Sequence, residues 1–396
     1  MLKALKFIIP SVVLVAALVA AGVAFIGKGK VAGVFSEKPP NADAAVPVDL
    51  SPYFFDEPPA DFTVYRQKPV VVKGIYVTGT RAGLSSYMDP LIELCDATAL
   101  NAMVIDVKTD DGTVTFKGIP AADEAGISEG YIPDIQATLA KLKEHNIYAI
   151  ARVVCFKDNG AKDARPELYI KNKDGSLWRD KRSGSSWLNP YNKQSWEYIA
   201  EIAKGAARLG FNEIQLDYIR FNEERSLSDA DMGDTGGKSR AEIIADFAAY
   251  MKEQLAGYDV FLGADVYGIV IGSKLDADTI GQDYRELSKR LDYICPMVYP
   301  SHYADGSFGI AHPDLEPYNL IKNAMDLSNE VLADVPEHAV VRPWLQDFTA
   351  PWIHPHLDYG PKETREQIQA AYDAGMNQFM MWDAGVNYDP AAFEKE

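Results

Sequence analysis

Cysteine and histidine are scarce in this 396-residue chain, at three and six residues. Cys95, Cys155 and Cys295 lie far apart in apolar runs, and no C-x-x-C spacing exists. A disulfide framework and a cysteine-built metal site are therefore excluded. The three read as small buried hydrophobes. Of His145, His302, His312, His338, His354 and His356, only the last two are close neighbours. His354-Pro355-His356 sits in a proline-rich loop rather than at helical ligand spacing. A metal-dependent hydrolase or deacetylase is disfavoured, and no metal or other cofactor is expected. Positive charge is also short. Lys and Arg number 39 against 57 Asp and Glu, a net of −18. So acidic a body repels phosphate backbones, which argues against a nucleic acid partner. The 47% apolar and 24% charged content is otherwise that of an ordinary globular protein.

Residues Phe7–Ile26 form an uncharged run flanked by Lys3, Lys6, Lys28 and Lys30. A helix of that length spans about 30 Å, the thickness of a bilayer core. An uncleaved membrane anchor is the favoured reading. A cleaved signal peptide, with Val19-Ala20-Ala21 as its cleavage site, is the alternative. Either reading places the body outside the cytoplasm, tethered to the cell membrane or secreted. Residues 28–70 hold Pro39, Pro40, Pro47, Pro52, Pro58, Pro59 and Pro69 with little periodicity, which predicts an extended tether. Its Tyr53, Phe54 and Phe55 are candidates to dock on the folded domain. The expected division is an anchor or signal peptide over 1–27, a linker over 28–70 and one domain over 71–396.

Within that domain, short apolar runs alternate with helical patterns. The runs are Gly74–Thr80, Ala102–Val107, Tyr148–Phe156, Glu213–Phe221, Val260–Tyr267, Tyr293–Tyr299, Val340–Phe348 and Gln378–Asp383. Between them Ile132, Ile135, Leu139 and Leu142 recur at helical spacing. Trp196, Ile199, Ile202 and Ala206 do the same, as do Ile368, Ala371, Tyr372 and Gly375. Eight strands alternating with helices predict a (β/α)8 TIM barrel. An open doubly wound sheet is the rival, but no G-x-G-x-x-G follows the first strand. An internal echo supports the barrel. Asn101, Asn212 and Asn377 each precede a strand, and five residues on from each stand Asp106, Asp217 and Trp382. Equivalent joints would put these three at one level, facing one way.

The strand ends carry a dense polar set. It comprises Asp106, Lys108, Arg152, Gln215, Asp217, Arg220, Asp265, Tyr267, Tyr299, His302, Arg342, Trp344, Gln346, Asp347, Trp382 and Asp383. Charges inside strands cost several kcal/mol to desolvate unless they are paired or face a wet site. Asp106, Lys108 and Arg152 are suited to pairing among themselves. Asp217 is the one carboxylate between Ile214, Leu216 and Ile219. The loops after the third and fourth strands are long, about 36 and 19 residues, as substrate clefts often require. The first carries Trp178, Trp187 and Tyr191 among hydrogen-bonding groups, which suits sugar rings. Its bland alternative is a lid closing the barrel top. The second holds Asp229, Asp231 and Asp234, whose spacing fails the EF-hand pattern and reads as a solvated acidic loop.

Several segments are familiar. Trp187-Leu188-Asn189-Pro190, followed by Gly210-Phe211-Asn212-Glu213-Ile214-Gln215-Leu216-Asp217-Tyr218-Ile219-Arg220-Phe221, resembles the putative glycosyl hydrolase domain family of bacterial exported proteins. Lys73–Thr78, Asn101–Lys108, Pro296–Tyr303 and Arg342–Phe348 look like the same family, so the resemblance covers about 71–390. Asn222 departs from it, standing where the resemblance implies a proline. An Asp at the end of strand four is similar to the nucleophile position of α-amylase-like and α-galactosidase-like barrels. The resemblance implies an enzyme acting on O-glycosyl bonds of a polysaccharide or oligosaccharide. Two carboxyl groups suffice for that chemistry. Asp217 is assigned as nucleophile and Asp265 as general acid/base, which predicts retention. Arg220 and Lys108 are expected to keep Asp217 ionised, and Val266 and Ile269 to give Asp265 an apolar setting. Asp106, Lys108, Arg152, Trp178, Trp187, Gln215, Arg220, Tyr299, His302, Trp344, Gln346, Trp382 and Asp383 are the candidate substrate-binding residues. Asp347 and Asp383 are reserve acids. A non-catalytic carbohydrate-binding barrel on the cell surface is the alternative.

Overall fold

A computed structural model describes residues 67–395. The expected anchor, most of the tether and its aromatic cluster lie outside the described residues. Among the described residues, no helix is long and apolar enough to cross a membrane. Gln67, in the predicted tether, already touches the domain. Its backbone N–H donates to Asp259 Oδ1 (2.8 Å), and its side-chain amide donates to the Asn212 carbonyl.

The strands are β1 (Lys73–Val77), β2 (Ala102–Lys108), β3 (Tyr148–Val154), β4 (Glu213–Asp217), β5 (Phe261–Tyr267), β6 (Tyr293–Met297), β7 (Val340–Val341), β8 (Trp344–Gln346) and β9 (Phe379–Trp382). Every pairing is parallel. β1 pairs with both β2 and β9, and β5 pairs with β6, so the sheet closes on itself. β7 and β8 both lie against β6. They are two pieces of one barrel position, interrupted at Pro343, which has no N–H to give to the ladder. The result is an eight-position parallel barrel, as the strand–helix alternation predicts, and not an open sheet.

The strands are shorter than the apolar runs suggest. Thr78, Phe156, Phe221, Tyr299 and Phe348 fall past their strand ends, where the chain turns outward into the mouth loops. β4 stops because Tyr218 takes a left-handed conformation at φ 51°. Ile132 likewise precedes its helix, Ile135–Glu144, which Asp134 caps. The helix Lys193–Leu209 begins at the Asn192 cap and ends at Gly210, whose φ of 102° favours glycine. It buries Trp196, Ile199, Ile202 and Ala206 against the sheet.

Alternation within each strand sorts the two faces. Ile214 and Leu216 of β4 join the apolar layer under the helices, while Glu213, Gln215 and Asp217 are buried on the inner side. At the lower end Arg342 Nη2 reaches both carboxylate oxygens of Glu213 at 2.8 and 2.9 Å, and both side chains are wholly buried. The Arg342 guanidinium also lies 3.9 Å from the centroid of the Tyr293 ring. Gly263 makes room for this pair, since a Cβ there would stand 2.8 Å from Glu213 Oε1. The three cysteines are free and buried, as expected.

Removing one half of such a pair strands the other charge in the interior. Arg342→Met should destabilise the barrel by about 3–5 kcal/mol in urea unfolding, and pairing it with Glu213→Gln should recover part of that loss.

Candidate active site

Two of the three Asn-led joints are equivalent in space, and Gln378 rather than Asn377 takes that place at the third. Asn101 Oδ1 accepts from Lys73 N (2.8 Å) and Asn212 Oδ1 from Ala149 N (2.9 Å). At the third joint Gln378, one residue on, accepts from Val72 N (3.2 Å). Each side chain pins the start of a neighbouring strand, which sets the strands at a common height. Five residues on from each Asn, Asp106, Asp217 and Trp382 converge on one side chain, Arg152 of β3.

Arg152 Nη1 donates to Asp106 Oδ1 at 2.6 Å. Its Nε and Nη2 both donate to Asp217 Oδ2, at 2.9 and 2.6 Å. Burial works against this guanidinium's charge, but Asp217 and Asp106 outweigh it and hold Arg152 protonated. Asp106 Oδ2 accepts from Tyr76 OH at 2.6 Å. Burial still raises the Asp106 carboxyl above its usual range, despite Arg152. The remaining Asp217 oxygen, Oδ1, accepts from the N–H of Tyr218 at 2.6 Å.

Asp265, on the adjacent β5, is 1% exposed. Its Oδ1 accepts from Trp344 Nε1 (2.7 Å) and Gln215 Nε2 (2.8 Å). Burial, and after it the charge of Asp217, pushes this carboxyl well above the usual range. The expected apolar neighbours are not responsible. Val266 faces the helix layer, and Ile269 is an exposed residue. Above the acids, Trp382 stacks on Tyr76 with centroids 4.0 Å apart and planes 20° from parallel. Trp344 meets Trp382 edge-on at 5.6 Å, and the Arg152 guanidinium lies 5.4 Å from the Trp382 ring. Trp382 is half-buried, so this platform borders the open mouth.

Other candidates sit elsewhere. Lys108 does not pair with Asp106 or Arg152. It is wholly buried, 2.8 Å from Asp158 Oδ2, and donates to the Val154 carbonyl. It thus ties down the base of the β3 loop. Arg220 does not reach Asp217 either. It donates to Glu223 Oε2 (2.8 Å) and packs against the rings of Trp187, Tyr218 and Tyr267. Trp178 and Trp187, at 3% and 2% exposure, belong to the core under the loop and offer no open face. This is the lid arrangement, produced when the loop folds back through an antiparallel bridge between Lys157 and Trp187. Gln346 spends its amide on Ser301 N and the Phe348 carbonyl. Tyr299 is buried, and His302 meets Tyr299 and Phe348 edge-on. Burial pushes the His302 imidazole down to about 4, so it is neutral at ordinary pH. Among the described residues, no group of three His, Cys, Asp or Glu is placed to hold a metal ion.

Strand-end composition did not single out Tyr76, Tyr218, Lys157 or Asp110. Tyr76 carried no signal: it lies opposite Val104 in the sheet, and its long side chain takes the hydroxyl up to Asp106. Lys157 donates to Asp110 Oδ2 at 2.8 Å and lies 4.9 Å from the Tyr218 ring centroid.

The reserve acids form a separate group between β8 and β9. Asp383 accepts from the N–H groups of Gly385 and Asn387 (both 2.8 Å). Asp347 Oδ1 accepts from Thr364 Oγ1, while its Oδ2 is buried without a partner. Burial lifts the Asp347 carboxyl to about 7, with Asp383 and Asp389 adding to the effect. The folded protein therefore keeps this proton up to about pH 7, whereas the unfolded chain releases it near 4. Stability should fall as pH rises through that window. Asp347→Asn should flatten the slope, measured as melting temperature against pH. Trp187→Ala should lower stability by about 3–5 kcal/mol, as emptying a core site does.

No match to a curated protein is found. Among solved structures, a hypothetical protein from Ruminiclostridium thermocellum ATCC 27405 is 42% identical, over 48% of this chain and 97% of its own, at a TM-score of 0.45. The PgaB (BpsB) glycoside hydrolase domain from Bordetella bronchiseptica is 12% identical over 83% of this chain and all of its own, at a TM-score of 0.62. The GH20 exo beta-N-acetylglucosaminidase from Vibrio harveyi is 13% identical over 82% of this chain and 55% of its own, at 0.52. The last two likenesses show the barrel fold alone. The family match goes further: residues 74–388 match the putative glycosyl hydrolase domain along nearly the whole barrel, and the chain belongs to that family.

Proposed function

We propose that this barrel is an extracytoplasmic glycoside hydrolase that cleaves a polysaccharide or oligosaccharide with retention at the anomeric carbon. One observation carries the reading. Two carboxyl groups on neighbouring strands stand in different settings: Asp217 accepts from Arg152 and the Tyr218 amide, and Asp265 is buried, with its carboxyl pushed well above the usual range. Paired carboxyls whose surroundings separate them in this way suit nucleophile and acid. Adjacent strands also suit the shorter separation of retaining enzymes, about 5–5.5 Å.

In this mechanism a carboxylate oxygen of Asp217 bonds to the anomeric carbon as the glycosidic C–O bond breaks. Asp265 gives its proton to the departing oxygen. Water then attacks the glycosyl ester, and Asp265 takes a proton from it. Arg152 holds Asp217 in place, and Asp106 and Tyr76 hold Arg152. Trp382, backed by Tyr76, supplies a flat apolar surface for the C–H face of a sugar. The apolar run at Phe7–Ile26 supports placement outside the cytoplasm, either anchored to the membrane or released by cleavage. Both oxygens of Asp217 already accept hydrogen bonds, which favours a second reading as a carbohydrate-binding barrel without turnover.

Asp217→Asn should cut turnover by about three orders of magnitude or more, and should lower stability while leaving the barrel folded, because Arg152 keeps Asp106 as its counter-charge. Azide added to that variant should yield a glycosyl azide of inverted configuration. Asp265→Asn should spare aryl glycosides with good leaving groups and fail on natural linkages. Wild-type rates should decline on the alkaline side, where Asp265 loses its proton. Near-normal turnover by Asp217→Asn would refute the assignment. Glycan binding without hydrolysis by the wild type would establish the binding barrel.

A further inference from the structure

The loop after β3 carries charge of the opposite sign to the chain as a whole. Residues 171–182 contain Lys171, Lys173, Arg179, Lys181 and Arg182 against Asp174 and Asp180, in a chain of net −18. Lys173, Arg179, Lys181 and Arg182 are exposed. Among the described residues none of the four makes an ion pair, and Arg179 reaches only the Gly184 carbonyl. The nearest carboxylates are occupied by other groups. Asp174 accepts from the N–H and Oγ of Ser176, at 3.0 and 2.6 Å. Asp180 accepts from the Arg182 N–H and from the Asn222 amide, at 2.8 and 3.0 Å. Glu224 accepts from the Lys181 N–H and from Ser226 Oγ, at 2.9 and 2.8 Å.

These cations sit on a braced support. Antiparallel bridges join Lys171 to Leu177 and Arg179 to Ser186, and a third joins Lys171 to Asp231 of the next loop. Further in, the cations are paired, Lys157 with Asp110 and Arg220 with Glu223, each at 2.8 Å. Lys157 and Arg220 each lie 4.9 Å from the centroid of Tyr218, the residue that follows Asp217. The exposed positive charge is thus concentrated on the β3 loop, beside a β4 loop that carries Glu223, Glu224, Asp229, Asp231 and Asp234.

We propose that the basic loop of residues 171–182 binds an anionic polysaccharide, one carrying carboxylate or phosphodiester groups, and leads it to the barrel mouth. The proposal deepens the carbohydrate-active reading above and rests on it for the kind of polymer. One exposed cation contributes little in water. Several cations on a rigid support, meeting a repeating anion, act together, because each contact after the first is intramolecular. A local positive rim on an acidic body also selects against neutral chains.

The test is affinity electrophoresis of the full-length chain through gels holding polygalacturonate, poly(glycerol phosphate) or neutral dextran. The variant carries Lys173→Gln, Arg179→Gln, Lys181→Gln and Arg182→Gln, all at exposed positions outside the core. At least one of the two polyanions should retard the wild type, and dextran should not. Retardation should fall about tenfold or more as salt rises from about 0.05 to about 0.5 M, because counter-ions screen the contact. The variant should lose it at low salt while melting like the wild type. Equal retardation of variant and wild type would overturn the proposal, as would dextran retarding as strongly as the polyanions. A variant effect seen only with phosphatidylglycerol vesicles would assign the loop to a membrane surface instead. The readout is binding alone. Hydrolysis of a neutral glycan with no polyanion bound would therefore end this proposal and leave the glycosidase reading intact. Polyanion binding with no hydrolysis would do the reverse.

Discussion

One buried guanidinium organises the mouth of this barrel. Arg152 reaches Asp106 on one side and Asp217 on the other, and so ties β2, β3 and β4 together at their upper ends. A charge taken this far from water is tolerated only when its donors are met by acceptors of opposite sign. Yet one cation cannot neutralise every acid around it. Asp106, Asp217 and Asp265 gather near Arg152, and the structure answers with raised carboxyls at Asp106 and, more strongly, at Asp265. Burial first, and at Asp265 the charge of Asp217 after it, is what keeps a proton in the site. A lower tier repeats the device in a closed form, where Glu213 and Arg342 match one to one. Balanced charge makes that tier a brace, and unbalanced charge makes the upper one a candidate reaction centre.

Much of this was legible in the sequence, and the reason is local. Parallel strands buried on both faces must be apolar, so a charge inside one is conspicuous. Asn101 and Asn212 share a common origin for counting, the third joint is offset by one residue, and Asp106, Asp217 and Trp382 still meet around Arg152. Partners that come from loops were not legible. Lys108 looked like a member of the upper cluster, but Asp158 from the β3 loop claims it. Trp178 and Trp187 have the neighbours of a sugar platform. Whether such a ring faces solvent depends on the return path of a long loop, which composition does not encode. The platform is formed instead by Trp382 on Tyr76, a residue that reads as an ordinary member of an apolar strand.

Tyr218 shows how the scaffold holds a conformation that its own residue type disfavours. A left-handed φ on an aromatic residue costs on the order of 1–3 kcal/mol. Packing supplies the compensation: the Tyr218 ring lies among Lys157, Arg220 and the edge of Trp187. The buried tryptophan thus serves the site from below. It stabilises the turn that ends β4 and opens the mouth.

The loop beyond that turn explains why asparagine works where the family resemblance implies a proline. Asn222 is 1% exposed. Its amide donates to Asp180 Oδ2 (3.0 Å) on the β3 loop, and its Oδ1 accepts from the Glu224 N–H (2.7 Å) on its own. A proline would stiffen this position through its fixed φ and would supply neither bond. Asparagine stiffens it by joining two loops, so the order of the β4 loop becomes dependent on that of the β3 loop. The bridge between Lys171 and Asp231 and the bond from Asn189 Nδ2 to the Met232 carbonyl (3.0 Å) extend the same seam. The two longest loops at the mouth are therefore one wall, fixed at its base by the buried Lys108–Asp158 pair and at its inner edge by Tyr218 against Asp217. Whatever enters the mouth meets that wall as a rigid surface.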